Sequence, residues 1–398
     1  MYITLYRFAF SLENVQKSSL IYVPRKTITS LITRLCVKKL LKLKERVKIM
    51  KKPIRLGMIG LGRAGYSMHL PELKGKEDMY QIVAVCDREA DRCEKMREQF
   101  GCKTYYKVED IVMDPDIDVI DIATRSNDHY THAKTALDAG KVVFLEKPIS
   151  ETYEEAKQLV ELAKKYGANG ERRLYVRHNR RFEAQFMQVN KIIESGILGD
   201  VYYIKRSEGS FSYRRDWQTL SQYGGGQLLN WGPHLVDQSL RFAGGDYKRM
   251  MSVICQVNAA GDCEDVVRAT MVGVNGRTVE MVISGADAIT PPSYIVCGNR
   301  GSLYDINGEK FKIRYLDPSY KRPDFVASIA TPTDTNFSSS GPLPFIEEER
   351  EWDKNPLDHT WIYLYEAVIE GKEYPITNEE ALKVMQTIQH IKDQNKEQ

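Results

Sequence analysis

A glycine-rich turn is the first feature of this sequence whose residue types and spacing could do chemistry. Gly60, Gly62 and Gly65 form the pattern Gly-x-Gly-x-x-Gly and follow the apolar run IRLGMIG, which is typical of a buried parallel strand. In such a unit the first glycine permits a tight turn, the second lets the backbone approach a pyrophosphate, and the third lets helix and strand pack closely. The sequence therefore predicts a dinucleotide site whose turn also contains Arg63 and Ala64.

An acidic residue stands where a dinucleotide-binding fold places the acid that bonds the adenosine ribose. Asp87 ends a second apolar run, QIVAVC, 22 residues after Gly65. Asp87 could also cap the helix that follows, and one residue can fill both roles. An acid at this position disfavours a 2′-phosphate, so we expect NAD. The neighbouring Arg88 suits a 2′-phosphate, so NADP stays open.

Helices and strands must alternate to position these residues. The pattern predicts strands at 118–124, 141–148 and 172–178 and helices at 88–99, 108–114, 129–140 and 151–167, an order typical of a parallel, doubly wound sheet. Cofactors bind at the carboxyl ends of such strands. The candidate cofactor residues at those ends are Thr124, Asn127, His129, Glu146 and Lys147.

Three further motifs resemble the family of glucose–fructose oxidoreductase, inositol dehydrogenase and the rhizopine-catabolism oxidoreductases. They are Glu146-Lys147-Pro148, HNRRF at 178–182 and GGGQLLNWGPHLVD at 224–237, and the similarity extends from about residue 54 to the C-terminus. The resemblance and the strand pattern imply an α/β Rossmann domain plus an α+β C-terminal domain with a large, mostly antiparallel open sheet. In that family a second subunit often covers this sheet, so we expect a homo-oligomer, either a dimer or a tetramer.

We expect three segments along the chain. Residues 1–51 form a basic, loosely ordered extension, residues 52–177 the Rossmann domain, and residues 178–398 a substrate-binding and oligomerisation domain whose last helix, at about 376–393, packs back. Within the third segment, alternating and apolar runs predict strands at 200–210, 247–260, 265–274, 277–285 and 293–305. Residues 317–352 are rich in Pro, Ser, Thr and Asp, and this composition predicts a long excursion over the surface.

The resemblance also implies which residues act on the substrate. Lys147 would contact the nicotinamide ribose and the reacting hydroxyl, where a lysine stabilises a developing alkoxide. His234 is the candidate acid and base because the ordinary pKa of histidine lies near neutrality. Asn230, the third catalytic candidate, stands where the family commonly has aspartate. Because asparagine can only hydrogen-bond, we expect a different proton relay, a different substrate subset or reduced activity; Asn230 would also suit a helix N-cap.

Substrate contacts are expected from the aromatic, glycine-rich loop 211–226 and from the residues around it. Aromatic faces and arginine suit a sugar ring, and such loops often carry binding residues. In HNRRF, either Arg180 or Arg181 reaches the cleft, or it forms an ion pair between domains. The substrate candidates are Arg181, Tyr213, Trp217, Trp231 and Asp237, with Arg215 beside them.

Charge and cysteine content exclude several other classes of protein. Of 57 Lys/Arg and 54 Asp/Glu, residues 1–49 hold 11 and 2, which leaves 46 basic against 52 acidic residues in the rest, so no nucleic-acid partner is expected. No run of about 18 apolar residues exists, so no membrane helix is expected. The 7 cysteines are dispersed without metal-ligand spacing, so we predict no metal site and a reducing, cytoplasmic location.

The basic first fifty residues have three interpretations. A secretory signal is disfavoured because Glu13 interrupts the apolar stretch. A mitochondrial transit peptide fits in part, since the segment is basic and poor in acids. We favour a third interpretation, in which the segment is a non-native extension and the natural start is Met50, because the first strand follows at once.

The leading functional prediction is an NAD(P)-dependent dehydrogenase acting on the CH–OH group of a sugar, polyol or glycoside. A redox-neutral, NAD-dependent glycoside-cleaving enzyme of the same broad family is the first alternative, and the residue at position 230 keeps it open. A dinucleotide-binding sensor without catalysis is the second, although Lys147 and His234 argue against it. Fold alone does not decide among them.

Overall fold

A six-stranded parallel sheet places the glycine turn and Lys147 along one edge. The computed structural model describes residues 52–166, 173–324, 326–327, 329 and 342–396, so the predictions for residues 1–51 lie outside it. The strand order β3-β2-β1-β4-β5-β6 is that of a Rossmann fold, as predicted. The strands are β1 Ile54–Ile59, β2 Tyr80–Cys86, β3 Lys103–Tyr105, β4 Val119–Ile122, β5 Val142–Glu146 and β6 Leu174–Arg177.

Helices cover both faces of this sheet because its strands are apolar on both sides. After β1 the chain forms a π-helical turn, Gly65–His69, and then a short helix, Leu70–Leu73. The remaining helices of this half are α2 Ala90–Phe100, α3 Val108–Val112, α4 His129–Asp138 and α5 Tyr153–Tyr166, with the short helix as α1. One core contains residues of α3, α4 and α5, and the core on the other face contains residues of α1 and α2.

An eight-stranded, mostly antiparallel sheet forms the second layer, as predicted. Its order is β14-β13-β12-β11-β7-β10-β9-β8, and only the pair β7–β10 is parallel. The strands are β7 Val201–Gly209, β8 Tyr247–Cys255, β9 Val266–Gly273, β10 Thr278–Ser284, β11 Tyr294–Gly298, β12 Gly301–Asp305, β13 Lys310–Leu316 and β14 Phe345–Glu351. The helices between and after them are α6 Ala184–Glu194, α7 Gln227–Asn230, α8 Gly232–Phe242, α9 His359–Glu370 and α10 Asn378–Gln394.

The C-terminal helices return to the first sheet. Trp361 and Leu364 of α9 are fully buried in the core that α1 and α2 cover. Helix α10 begins at a capping box made by Thr377 and Glu380, and it packs against α5 and α8. Residues 53–398 form one compact unit that contains both sheets, and the division at 177/178 stays a prediction.

Three sequence-based element predictions were wrong in detail. The strand predicted as the fifth, 172–178, is the sixth, because the three-residue strand β3 was missed. The single strand expected at 293–305 is the hairpin β11–β12. The surface excursion expected at 317–352 ends in a strand: β14 pairs with β13, and the alternating charges of FIEEERE suit its exposed edge position. Within the described chain, no helix is long and apolar enough to cross a membrane.

Candidate functional site

The glycine turn has the shape that a pyrophosphate needs. Gly60 has φ +92°, a conformation that favours glycine, and a Cβ on Gly65 would lie 2.1 Å from the Gly60 carbonyl oxygen. A Cβ on Gly62 would meet nothing within 4 Å, so this glycine borders open space. The Leu61 amide donates to Asp87 Oδ2 at 2.7 Å and thereby fixes the turn. The residues present fit a dinucleotide phosphate at this turn.

This geometry predicts opposite effects for two alanine substitutions. Gly62→Ala should leave the free energy of unfolding almost unchanged, because its methyl group meets no atom, and should weaken NADH binding about tenfold by blocking the backbone's approach to the pyrophosphate. Gly65→Ala, the matched control, should destabilise the fold because its methyl group would overlap the Gly60 carbonyl. Thermal unfolding and NADH fluorescence titration measure the two quantities. Unweakened NADH binding in folded Gly62→Ala would contradict the prediction.

The other predicted cofactor residues lie at the carboxyl ends of β2, β4 and β5. Asp87 accepts a hydrogen bond from the Glu89 amide at 2.9 Å, and its helix α2 begins only at Ala90, so Asp87 is not the N-cap. The Arg88 side chain is 73% exposed. Asn127 Oδ1 is buried and has no hydrogen-bond partner within the described residues. Thr124 contacts His132, and His129 Nδ1 lies 2.6 Å from the Pro148 carbonyl oxygen.

Lys147 leaves β5 and reaches the second half of the chain. Its Nζ donates to the backbone carbonyl of Asn230 at 2.9 Å, one helical turn before His234. Burial, together with the positive charges of Arg180 and Arg177, lowers the pKa of Lys147 to about 8, although Glu146 opposes the shift. Lys147 therefore remains an ammonium donor at neutral pH and loses its proton in the mildly alkaline range.

His234 lies buried at the start of α8, where Pro233 suits the first turn as predicted. Its Nδ1 has no hydrogen-bond partner in the part of the chain that the structure describes. Burial and the charges of Lys147 and Arg180 hold the pKa of His234 well below its ordinary value. The imidazole is therefore neutral at pH 7 and able to accept a proton.

Asn230 contacts Lys147 through its backbone only. The side-chain Oδ1 of Asn230 accepts from Gln218 Nε2 at 3.0 Å, and Nδ2 donates to Gln227 Oε1 at 3.4 Å. Asn230 ends helix α7 and does not cap α8, because Trp231 precedes that helix, so the predicted N-cap role was wrong. The amide thus joins a network of side-chain amides next to Lys147, and Arg214 donates to Gln218 at the far end of this network.

Arg181 and Asp237 bind each other, and the substrate role predicted for them is not supported. Arg181 Nε donates to Asp237 Oδ2 at 3.0 Å, and its Nη1 donates to Glu380 Oε2 at 2.6 Å. The Arg181 side chain is 9% exposed and that of Asp237 is 1% exposed. Arg181 therefore forms an ion pair, but its partners lie within residues 178–398 and not across the predicted domain boundary. Arg180 is the arginine near the cleft, since its guanidinium lies 4.3 Å from the centre of the Trp231 ring.

Some side chains of the aromatic loop 211–226 lie at the cleft and others lie on the surface. The Trp217 ring centre lies 5.9 Å from the Arg125 guanidinium, and the Tyr223 ring centre lies 4.4 Å from it, so this loop covers the segment that follows β4. The Trp231 and His234 rings meet edge to face at 5.9 Å. Tyr213 is 75% exposed and packs beside Phe211, which places it on the outer surface of the loop.

Glu146, predicted to bind cofactor, is part of a buried charge network next to Lys147. Its Oε1 accepts from His69 Nε2 at 2.9 Å and from Arg177, while His69 Nδ1 contacts Asp121 Oδ2 at 2.8 Å. Burial lowers the pKa of an imidazole, but Asp121 and Glu146 together raise the pKa of His69 to about 9. Arg177 also pairs with Glu72. Sequence reasoning missed this network because its members come from four separate segments of the chain.

The raised pKa of His69 predicts a pH-dependent stability. A group whose pKa is raised by folding stabilises the protein below its unfolded pKa, here 6.5, and this contribution is lost as pH rises toward about 9. His69→Gln should therefore lower the free energy of unfolding by about 3 kcal/mol near pH 6.5 and by much less above pH 9. Denaturant titrations of both proteins across this range measure the difference. A difference that does not change with pH would contradict a charged His69.

Within the described residues, no group of three or more His, Cys, Asp or Glu is arranged to hold a metal ion. His178 and His69 are the functional candidates that sequence reasoning missed, whereas Arg180 was one of the two arginines expected at the cleft. For His178 a signal existed, because it is the last residue of the predicted strand 172–178 and so stands at the same sheet edge as Lys147.

Comparison with known proteins supplies the family. Residues 54–170 match the oxidoreductase family with an NAD-binding Rossmann fold, GFO/IDH/MocA, and residues 186–304 match the GFO/IDH/MocA C-terminal domain. An uncharacterized oxidoreductase of Schizosaccharomyces pombe is 30% identical over 67% of this chain and 76% of its own. The scyllo-inositol 2-dehydrogenase (NADP(+)) IolW of Bacillus subtilis is 25% identical over 86% of this chain and 94% of its own.

A solved structure supports the same fold. The WlbA dehydrogenase from Bordetella pertussis, in complex with NADH and UDP-GlcNAcA, superposes with a TM-score of 0.67 at 18% identity, covering 87% of this chain and 97% of that one. The protein is thus an oxidoreductase with an NAD-binding Rossmann fold, and it belongs to the GFO/IDH/MocA family.

Proposed function

We propose that the protein transfers a hydride between the secondary alcohol of a sugar, polyol or glycoside and a nicotinamide cofactor. The observation that carries this proposal is the 2.9 Å hydrogen bond from Lys147 to the Asn230 carbonyl, which brings the lysine near the start of the His234 helix. The charge of Lys147 also contributes to the lowered pKa of His234. The two groups have the protonation states that alcohol oxidation requires, a charged lysine and a neutral histidine. The name of the Bacillus subtilis relative, an inositol dehydrogenase, supports a polyol as substrate.

Each group has one task in the proposed reaction. The nicotinamide ring, when bound, supplies the hydride acceptor. Lys147 donates a hydrogen bond to the substrate oxygen and stabilises negative charge that develops on it. His234 accepts the hydroxyl proton, since its imidazole is neutral and its Nδ1 has no hydrogen-bond partner among the described residues. The buried pairs Arg181–Asp237 and Arg177–Glu146 hold the strand ends and α8 in place.

We further propose NAD as the preferred cofactor. Asp87 remains beside the glycine turn, where a carboxylate repels a 2′-phosphate. The exposed Arg88 and the NADP(+) in the name of the Bacillus subtilis relative favour the other cofactor, so both belong in the assay. The cytoplasmic location and the homo-oligomer stay predictions.

The redox-neutral, glycoside-cleaving alternative rests on the residue at position 230. An amide tied to Gln218 replaces the expected carboxylate, so the proton relay near Lys147 differs from that implied by the family. Such an enzyme would cleave a glycoside without accumulating NADH, whereas a dehydrogenase accumulates NADH. The two functions therefore separate in a single assay.

The test is the near-ultraviolet absorbance of reduced nicotinamide, measured with purified protein, NAD or NADP, and a panel of inositols, free sugars and simple glycosides. We expect a rise with NAD on a polyol or sugar. Cleavage of a glycoside without a rise would favour the alternative. Cofactor binding without conversion of any compound would contradict both enzymatic functions and favour a sensor.

A further inference from the structure

His178 follows strand β6 as Lys147 follows strand β5. Glu146 and Arg177 are register partners in these two adjacent parallel strands, so Lys147 and His178 stand at equivalent positions one residue farther along. Neighbouring strands lie about 4.8 Å apart. The two residues therefore leave the sheet side by side at its carboxyl edge, where cofactor and substrate are expected to meet.

Because successive side chains alternate between the two faces of the sheet, the paired charges of Glu146 and Arg177 lie on the face away from the cleft. Glu146 and Arg177 bond each other on one side of the two strands, and successive side chains of a strand point to opposite sides. Lys147 reaches α7 through Asn230. Burial and the charges of Arg181 and Lys147 lower the pKa of His178 to about 4, although Asp237 opposes the shift. His178 is thus a neutral imidazole at neutral pH.

Two buried histidines here have a ring nitrogen without a hydrogen-bond partner. His178 is 2% exposed and His234 is 7% exposed, and Nδ1 of each lacks a partner among the described residues. An unpaired polar atom in the interior costs free energy and is rare, so each nitrogen requires an explanation. A neutral imidazole nitrogen can donate to or accept from a hydroxyl. Two such rings beside Lys147 suit a ligand that presents neighbouring hydroxyl groups.

We propose that His178 is a second substrate-binding histidine, which holds a hydroxyl on the carbon next to the one that Lys147 and His234 hold. The site would then select vicinal diols in cyclic polyols or sugars over isolated secondary alcohols. This inference rests on the proposed function and adds no covalent step to it. It assigns a role to a residue that the proposed proton transfer leaves unused.

The first test compares His178→Phe with the wild type on a polyol and on its deoxy analogue, which lacks the neighbouring hydroxyl. We expect the substitution to lower kcat/KM for the polyol roughly tenfold, as for the loss of a hydrogen bond, and to leave the deoxy analogue nearly unaffected. His178→Gln, which keeps a hydrogen-bonding group, should retain most of the activity. His390→Gln, on α10 against Tyr247, is the matched control. Equal losses on both substrates would overturn the inference.

A second measurement does not depend on turnover. In protein saturated with NADH, the imidazole NMR signal that disappears in His178→Gln should shift when the polyol is added. A shift of the His234 signal alone would overturn the inference. If the wild type converts no polyol or sugar, the proposed function fails and this inference fails with it. If the wild type is active and both His178 variants behave like it, only the inference fails.

Discussion

Replacing Lys147 by alanine is expected to lower kcat/KM on the order of a thousandfold, the usual cost of removing a group that stabilises an oxyanion. Its Nζ bonds the Asn230 carbonyl at 2.9 Å, so the ammonium is held in one place before substrate arrives. Preorganisation of this kind makes the loss large, because water cannot restore the lost donor in a buried cleft. Steady-state kinetics with the substrate found in the panel measure the effect.

The matched control for Lys147 is Lys141→Ala at the other end of β5. Lys141 Nζ donates to the backbone carbonyls of Asp114 and Ile117, far along the strand from the cleft. This substitution should lower stability and leave kcat/KM close to the wild-type value. An equal loss of activity in both variants would contradict a direct role for Lys147.

The lowered pKa of Lys147 also predicts the shape of the pH profile. Because Lys147 acts as a charged donor, kcat/KM for alcohol oxidation should fall as pH rises through about 8, where the ammonium loses its proton. A rise in kcat/KM through the same range would instead make the neutral lysine the base. This fall in kcat/KM through about pH 8 should be absent from the residual activity of Lys147→Ala.

Replacing His234 by glutamine is expected to lower kcat by roughly a hundredfold to ten-thousandfold, the range for loss of a general base. The fold should tolerate the change, because Nδ1 of His234 has no hydrogen-bond partner among the described residues to lose. NADH affinity should therefore stay near the wild-type value while kcat falls. This split between binding and turnover distinguishes a proton-transfer role from a structural one.

The control for His234 is His359→Gln, at the first turn of α9. His359 lies near the Pro356 carbonyl and the Phe182 ring. Its variant should keep the wild-type kcat. Full activity in His234→Gln, or parallel losses of NADH binding and kcat, would contradict the assignment of His234 as base.

The residues that directly follow a strand or begin a helix were the most predictable from the sequence. Lys147 and the glycine turn follow apolar strands directly, and a parallel sheet brings the ends of its strands to one edge. His234 was predicted from its motif and from the helix spacing after Pro233. The places of these residues in the fold follow from local periodicity, which a single sequence displays, whereas the roles of Lys147 and His234 are what the family resemblance implies.

The pairing of charged side chains could not be predicted in the same way. Arg181 bonds Asp237, which is 56 residues away, and Glu380, which is 199 residues away. The spacing of these residues in the sequence does not indicate that they are in contact. The same holds for His69 with Asp121 and Glu146. Strand β3 was missed because three residues are too few to show an alternation.

Isotope tracing tests hydride transfer most directly. The protein would be mixed with stoichiometric NAD and the active polyol or sugar carrying deuterium on its carbinol carbons, and the reduced cofactor would be examined by mass spectrometry. We predict that the NADH formed carries one deuterium and that an equivalent amount of ketone appears. Product formed without deuterium in the cofactor would contradict hydride transfer from the alcohol carbon.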